Sequence, residues 1–182
     1  ELTESSKIIY NDTADAGIRE AAWNMQEDLK EIAGLDLTVE EGNAPASSND
    51  IYIESQTDDT YGVGDEGYLL KTDDEGVHIY APTYTGCLYG TITVEQILDQ
   101  AEDNRTVPKG ITRDYPAYEV RGIMLDVART PYRLSQLQDY AKIMLWYKMN
   151  EYHLHINDND NCNTAFASNE THAGFYRLES DE

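Results

Sequence analysis

Basic residues are scarce in this sequence. Thirteen Lys and Arg stand against 35 Asp and Glu over 182 residues, a formal net charge of −22 with His neutral. A phosphate-backbone binder needs clustered Lys and Arg, and no such cluster occurs, so nucleic acid is excluded as a partner. An anionic membrane surface would repel the chain for the same reason. No apolar run approaches the ~20 residues of a membrane span. The polar opening Glu1-Leu2-Thr3-Glu4 does not read as a secretory leader. Two cysteines, Cys87 and Cys162, can build neither a disulfide framework nor a zinc quartet. Phe and Trp number two each against 14 Tyr, so the aromatic content is mostly amphipathic. What is present suffices for folding: hydrophobic residues make up 40%, enough for a packed core.

Periodicity divides the chain at about residue 116. Before it, Lys7-Ile8-Ile9-Tyr10 reads as a strand. Ile18, Ala21, Ala22, Met25, Leu29 and Ile32 follow at helical spacing, ended by Gly34. Leu35 to Val39, Ile51-Tyr52-Ile53, Gly67 to Leu70 and Val77 to Tyr80 read as further strands, with Asp73-Asp74-Glu75-Gly76 as a hairpin turn. A second helix carries Leu88, Thr91, Val94, Ile97 and Leu98 inward. Cys87 falls on that apolar stripe and reads as a buried thiol. Residues 101–116 read as a connector. Residues 1–116 are thus expected to form an α+β domain, a small sheet with helices on one face.

Residues 117–182 follow another pattern. Gly122 to Ala128 is a nearly continuous apolar run, as in a strand covered on both faces of a parallel sheet. Ser135 and Gln138 offer a capping box to a helix with Leu137, Ala141, Met144 and Leu145 on its apolar face. Glu151 to Ile156 is a second strand. The expectation is one βαβ unit, right-handed by default. Side chains alternate along a strand, so Asp126, His153 and His155 are expected on the face opposite the helix. A charge there needs a partner, with Arg121, Arg129 or a His as the choices. Arg129 and Asp158 each lie just past a strand's carboxyl end, where barrels place active sites. A salt bridge at the sheet rim is the plainer alternative.

Other constellations carry less. His153, His155 and Asp158 could make a three-ligand zinc site, but satisfied interior histidines are the commoner arrangement. Asp158 to Asn163 mimics a calcium loop yet lacks Gly at its sixth position. Asp65-Glu66 reads as a solvated turn. No metal and no cofactor is expected.

Tyr118-Glu119-Val120-Arg121-Gly122-Ile123-Met124-Leu125-Asp126-Val127-Ala128-Arg129 resembles the opening barrel strand of family 20 glycoside hydrolases, the β-N-acetylhexosaminidases. Tyr147-Lys148-Met149-Asn150 and His153-Leu154-His155-Ile156-Asn157-Asp158 resemble the next segment. Glu66 to Leu70, Val77 to Ala81 and Gly86 to Leu98 are similar to the α+β domain that precedes the barrel in that family. Gly174 to Ser180 is similar to the lacto-N-biosidase-type branch.

The resemblance implies a (β/α)8 TIM barrel, incomplete here and represented by its first βαβ, that removes β-linked N-acetylglucosamine or N-acetylgalactosamine from glycan ends. In this mechanism the substrate's own 2-acetamido oxygen attacks the anomeric carbon. An adjacent Asp-Glu dyad, which in the family follows the fourth barrel strand, orients the acetamido group and supplies the general acid. No such dyad occurs in these 182 residues, so the chain alone is expected to be inactive. By the same resemblance Arg129 grips the sugar's C3 and C4 hydroxyls, Asp158 lies behind the dyad, and His155 belongs to its supporting network. Asp126 and Arg121 are structural residues near the site. Two departures stand out: Thr130 follows Arg129 where His is usual, and Asn159 follows Asp158 where Asp is usual. A glycan is the expected substrate, with disaccharide release as the alternative to single N-acetylhexosamines. A non-catalytic carbohydrate-binding module is the rival reading. The protein is expected to be bacterial, secreted or at the cell surface, and to self-associate through an open barrel edge.

Overall fold

The structure, a computed structural model, describes residues 1–11, 17–56, 58–128 and 132–156. The chain divides into two compact units, Glu1–Ala117 and Tyr118–Glu182.

The first unit is a six-stranded mixed sheet with two helices. In chain order it comprises β1 (Lys7–Asn11), α1 (Ile18–Ala33), β2 (Thr38–Glu41), β3 (Ile51–Ser55), β4 (Tyr68–Thr72), β5 (Val77–Ala81), α2 (Tyr84–Gln100) and β6 (Gly110–Asp114). The spatial order is β2-β1-β3-β5-β4-β6. β1, β2, β3 and β5 run parallel, and β4 is antiparallel to both β5 and β6.

Helix α1 forms where apolar residues recur at i, i+3, i+4 and i+7: Ile18, Ala21, Ala22, Met25 and Leu29 are all at 0% exposure. Gly34 takes φ 66° and returns its N–H to the Leu29 carbonyl, which ends the helix. Leu35 and Leu37 are buried as their alternation suggests, but they precede the strand, which spans Thr38–Glu41.

The register lays Tyr10, Ile53, Ile79 and Leu70 in one row across four strands, all buried. Helix α2 sits on this face. A Cβ at Gly86 would meet the Gly67 carbonyl oxygen at 2.2 Å, and one at Gly90 would meet Ile79 Cγ2 at 2.4 Å. Two glycines four residues apart therefore let the helix approach the sheet more closely than side chains would permit. Cys87 is buried beside them, as expected. The opposite face carries an aromatic row. Tyr52 meets His78 edge-on at 6.3 Å, and His78 stacks on Tyr80 at 6.0 Å. Asp50, 1% exposed, accepts the N–H groups of Lys7 at 2.9 Å, Ala46 at 3.0 Å and Ser47 at 2.6 Å, which accounts for its burial.

One correction concerns residues 101–116. Within this expected connector lies the edge strand β6, paired along its length with β4. Its residues are mostly exposed, so it lacks the apolar alternation that marks a half-buried strand.

The second unit holds β7 (Gly122–Asp126), α3 (Leu134–Trp146) and β8 (Glu151–His155), with β7 and β8 parallel. The expected Ser135–Gln138 capping box is not the one that forms. The helix begins at Leu134, and the Arg133 N–H donates to Gln136 Oε1 at 3.0 Å. Met144 is buried, whereas Ala141 on the expected apolar face is exposed. No helix among the described residues is long and apolar enough to cross a membrane.

Candidate active-site edge of the barrel segment

The β7–β8 ladder pairs Ile123 with Tyr152, Met124 with His153, Leu125 with Leu154 and Asp126 with His155. Alternation then separates two faces. Tyr152 lies beside Tyr140 of α3 and beside Tyr132, and burial with these neighbours raises its phenol pKa. That face is the helix-covered one. Met124, 63% exposed, and the exposed His153 occupy the other, together with half-buried Asp126 and His155. Parity along the strands, read from the sequence, put these four residues on a common face, and the register brings Asp126 and His155 side by side.

The strands' carboxyl edge is tied by the His155 carbonyl, which accepts the N–H groups of Val127 at 3.1 Å and Ala128 at 3.2 Å. Asp126 Oδ1 accepts the Ala128 N–H at 3.1 Å. The chain therefore turns sharply after β7 and leads directly to Arg129. Arg129 and Asp158 both lie outside the described residues.

Arg121 is not Asp126's partner. It stands five residues earlier, roughly 16 Å along an extended strand. Its guanidinium instead donates to the carbonyls of Lys148 at 2.9 Å and Tyr118 at 2.7 Å. Lys148 has φ 52°, in the turn that leads α3 into β8. Asn150 completes this clamp by donating to the Glu119 carbonyl at 2.8 Å and accepting the Arg121 N–H at 2.9 Å. Arg121 and Asn150 thus fasten the amino ends of the two strands, and Asp126 and His155 mark the opposite, carboxyl end.

Two groups in the first unit escaped the sequence reading. Glu95 on α2 is 1% exposed, and neither carboxylate oxygen has a hydrogen-bond partner among the described residues. Burial, with the Asp28 charge nearby, pushes its pKa up to about 8. The signal was available: Thr91, Glu95 and Leu98 lie at i, i+4 and i+7. The second group is His78 on β5, 4% exposed in an otherwise apolar strand. Asp65 and Glu66 stay in a loop of the first unit, remote in the chain from the barrel segment.

Comparison with known proteins agrees with this architecture. Residues 1–115 match the model of glycosyl hydrolase family 20, domain 2, and residues 118–168 match the family 20 catalytic domain. A β-hexosaminidase of Porphyromonas gingivalis is 33% identical over 141 residues, covering 74% of this chain and 18% of the relative. One from Akkermansia muciniphila is 35% identical over 95 residues, covering 52% and 19%. A Streptomyces plicatus β-hexosaminidase, solved with its product GlcNAc, superposes with a TM-score of 0.74 at 27% identity, over 86% of this chain and 31% of that one. The class defined by an accessory α+β domain followed by the opening of a TIM barrel is a glycoside hydrolase. The chain belongs to glycoside hydrolase family 20. It spans about a fifth of the length of these two curated relatives.

Proposed function

We propose that this chain forms part of an enzyme that removes β-linked N-acetylhexosamine from the non-reducing ends of glycans by a substrate-assisted, retaining mechanism. One observation supports it most. The parallel β7–β8 pair brings Asp126 and His155 together at the edge that leads straight into Arg129. In this reading the Arg129 guanidinium receives the C3 and C4 hydroxyls as a planar fork. Asp158 lies behind the general acid and raises its pKa by like-charge proximity. His155 supports that carboxylate by hydrogen bonding, and Asp126 holds the turn at Ala128, next to Arg129 in the sequence. The attacking group is the substrate's acetamido oxygen, so no enzyme carboxylate becomes covalently linked. The Asp-Glu dyad would be supplied by sequence outside these 182 residues, and the chain alone is inactive.

The names of the two relatives above favour single N-acetylhexosamine release over disaccharide release. The test is a paired assay on a chromogenic β-N-acetylglucosaminide. The longer parent protein is expected to turn it over, and Arg129→Ala in that protein to lower kcat/KM by about 100-fold or more. Turnover by the 182-residue chain itself overturns its inactivity, and full activity of the Arg129 variant overturns the role given to Arg129. We further place the enzyme outside the cytoplasm of a bacterium. The strongly acidic composition supports this, and fractionation of the source cells tests it.

A further inference from the structure

We propose that the β4–β5 hairpin of the first unit is a binding site for a zinc-class divalent cation, held by Asp73, Glu75 and His78. One ligand atom from each residue lies within 4.8 Å of the others. Carboxylates clustered at a turn would mean little alone, and the buried imidazole is what distinguishes this cluster. The His78 side chain is 5% exposed, and its Nε2 has no hydrogen-bond partner among the described residues. That nitrogen faces Asp73 Oδ1 at 3.7 Å.

Neither neutral tautomer gives Nε2 a hydrogen bond among the described residues. Tyr80 Oη lies 3.2 Å from His78 Nδ1. If Nδ1–H donates to Tyr80, a lone pair at Nε2 faces a carboxylate, which is repulsive. If the proton is on Nε2 instead, 3.7 Å to the carboxylate is too long for a hydrogen bond. A metal between the two groups resolves the first case, because it takes the Nε2 lone pair that otherwise faces the carboxylate. Two ligand atoms each about 2.1 Å from a tetrahedral zinc stand roughly 3.4 Å apart, so a shift of a few tenths of an ångström closes the 3.7 Å separation found. The first tautomer also makes Tyr80 the outer partner that orients a ligating imidazole.

The carboxylates fit the same role. Asp73 Oδ1 accepts the Glu75 N–H at 2.8 Å and keeps a second lone pair toward His78. Glu75 is exposed, so its side chain can swing inward to close the third position. Lys71 Nζ holds the other Asp73 oxygen at 2.5 Å. This neighbouring ammonium repels a cation and sets a moderate affinity. One imidazole and two carboxylates leave coordination positions for water, and the donor set suits zinc better than calcium or magnesium.

The test is calorimetric titration of ZnCl2 into the chain after chelator treatment, followed by nitrogen-15 NMR of the imidazoles. One saturable equivalent is expected, with Kd on the order of micromolar. Asp73→Asn and Glu75→Gln, both at solvent-accessible positions, should each weaken it roughly tenfold or more, and Tyr80→Phe by a similar factor. Glu27→Gln, an equal loss of charge on α1, should leave it unchanged. The His78 Nε2 resonance should move on zinc addition. Absence of a saturable site overturns the proposal. So does a site whose affinity survives both carboxylate substitutions, or one whose NMR response falls on His153 or His155 and leaves His78 unmoved.

Discussion

Asp126 and His155 stand opposite each other at the last rung of the β7–β8 ladder, and the chain turns over this rung. The His155 carbonyl holds two successive N–H groups and the Asp126 carboxylate holds one of them again. Removing the carboxylate should therefore loosen the turn before it disturbs the strands. Asp126→Ala is expected to cost about 1 kcal/mol locally and to speed amide exchange at Ala128. Asp126→Asn keeps an acceptor and should stay close to the parent. Hydrogen exchange at Val127 and Ala128 reads the difference, and equal protection in all three proteins would show that the carboxylate does not hold the turn.

Gly86 of α2 packs against the backbone of Gly67, the residue just before β4. A Cβ at Gly86 would lie 2.2 Å from a backbone oxygen and 2.8 Å from the Ala81 Cβ, and neither can rotate away. Gly86→Ala should accordingly destabilise the first unit by roughly 2–4 kcal/mol through overpacking, although Ala is the better helix former. Gly110→Ala meets nothing within 4 Å and should be nearly neutral. Urea midpoints of the two variants make the comparison, and similar values would refute the packing argument.

Much of this was legible because the two periods of secondary structure leave distinct traces. The 3.6-residue spacing from Ile18 to Leu29 specified α1, and Gly34 specified its end. The alternation through Gly122–Asp126 and Glu151–His155 separated Asp126 and the histidines from the helix-covered side chains. Register is another matter. That Asp126 meets His155, and that Arg121 lies at the far end, depends on which residues pair, and no local pattern encodes that. Strand β6 was missed because pairing with β4 creates it, and its own residues stay wet. His78 was missed because its strand reads as simply apolar. Only the sheet's aromatic face explains why an imidazole is buried there. Glu95 was discoverable: an acid on an apolar helical stripe is an anomaly that the spacing alone exposes.

Among the described residues, β7 and β8 pair only with each other. Their unit also leaves Tyr118, Val120, Met124 and Ile143 between 53% and 76% exposed. Two unpaired strand edges beside exposed apolar side chains favour association. We expect the 182-residue chain to self-associate through this unit in a concentration-dependent way. Met124→Lys with Val120→Lys should shift it towards monomer. Light scattering across a dilution series checks this, and a monomer at every concentration would refute it. The charge of −22 opposes association at low ionic strength, so added salt should increase it.

Glu95 makes stability depend on pH in a direction opposite to that of most acidic side chains. Its ordinary pKa is 4.5, and burial between the two helices moves it to about 8. Below the lower value the carboxyl is protonated in both folded and unfolded chains and carries no penalty. Between the two values the unfolded chain ionises and the folded one does not, so stability falls as pH rises. Above the upper value both states are ionised and the slope ends. Each pH unit in the window is worth about 1.4 kcal/mol, giving a total on the order of a few kcal/mol. Glu95→Gln removes the titration and Glu95→Leu removes the buried polar group as well. Both should be more stable than the parent at pH 8, and the gap should narrow towards pH 5. Taking the difference between variant and parent cancels groups common to both, including His78, whose lowered pKa acts in the opposite sense. Urea unfolding at pH 5, 6.5 and 8 measures it, and a gap that stays constant with pH would mean that the Glu95 carboxyl is not held neutral by burial.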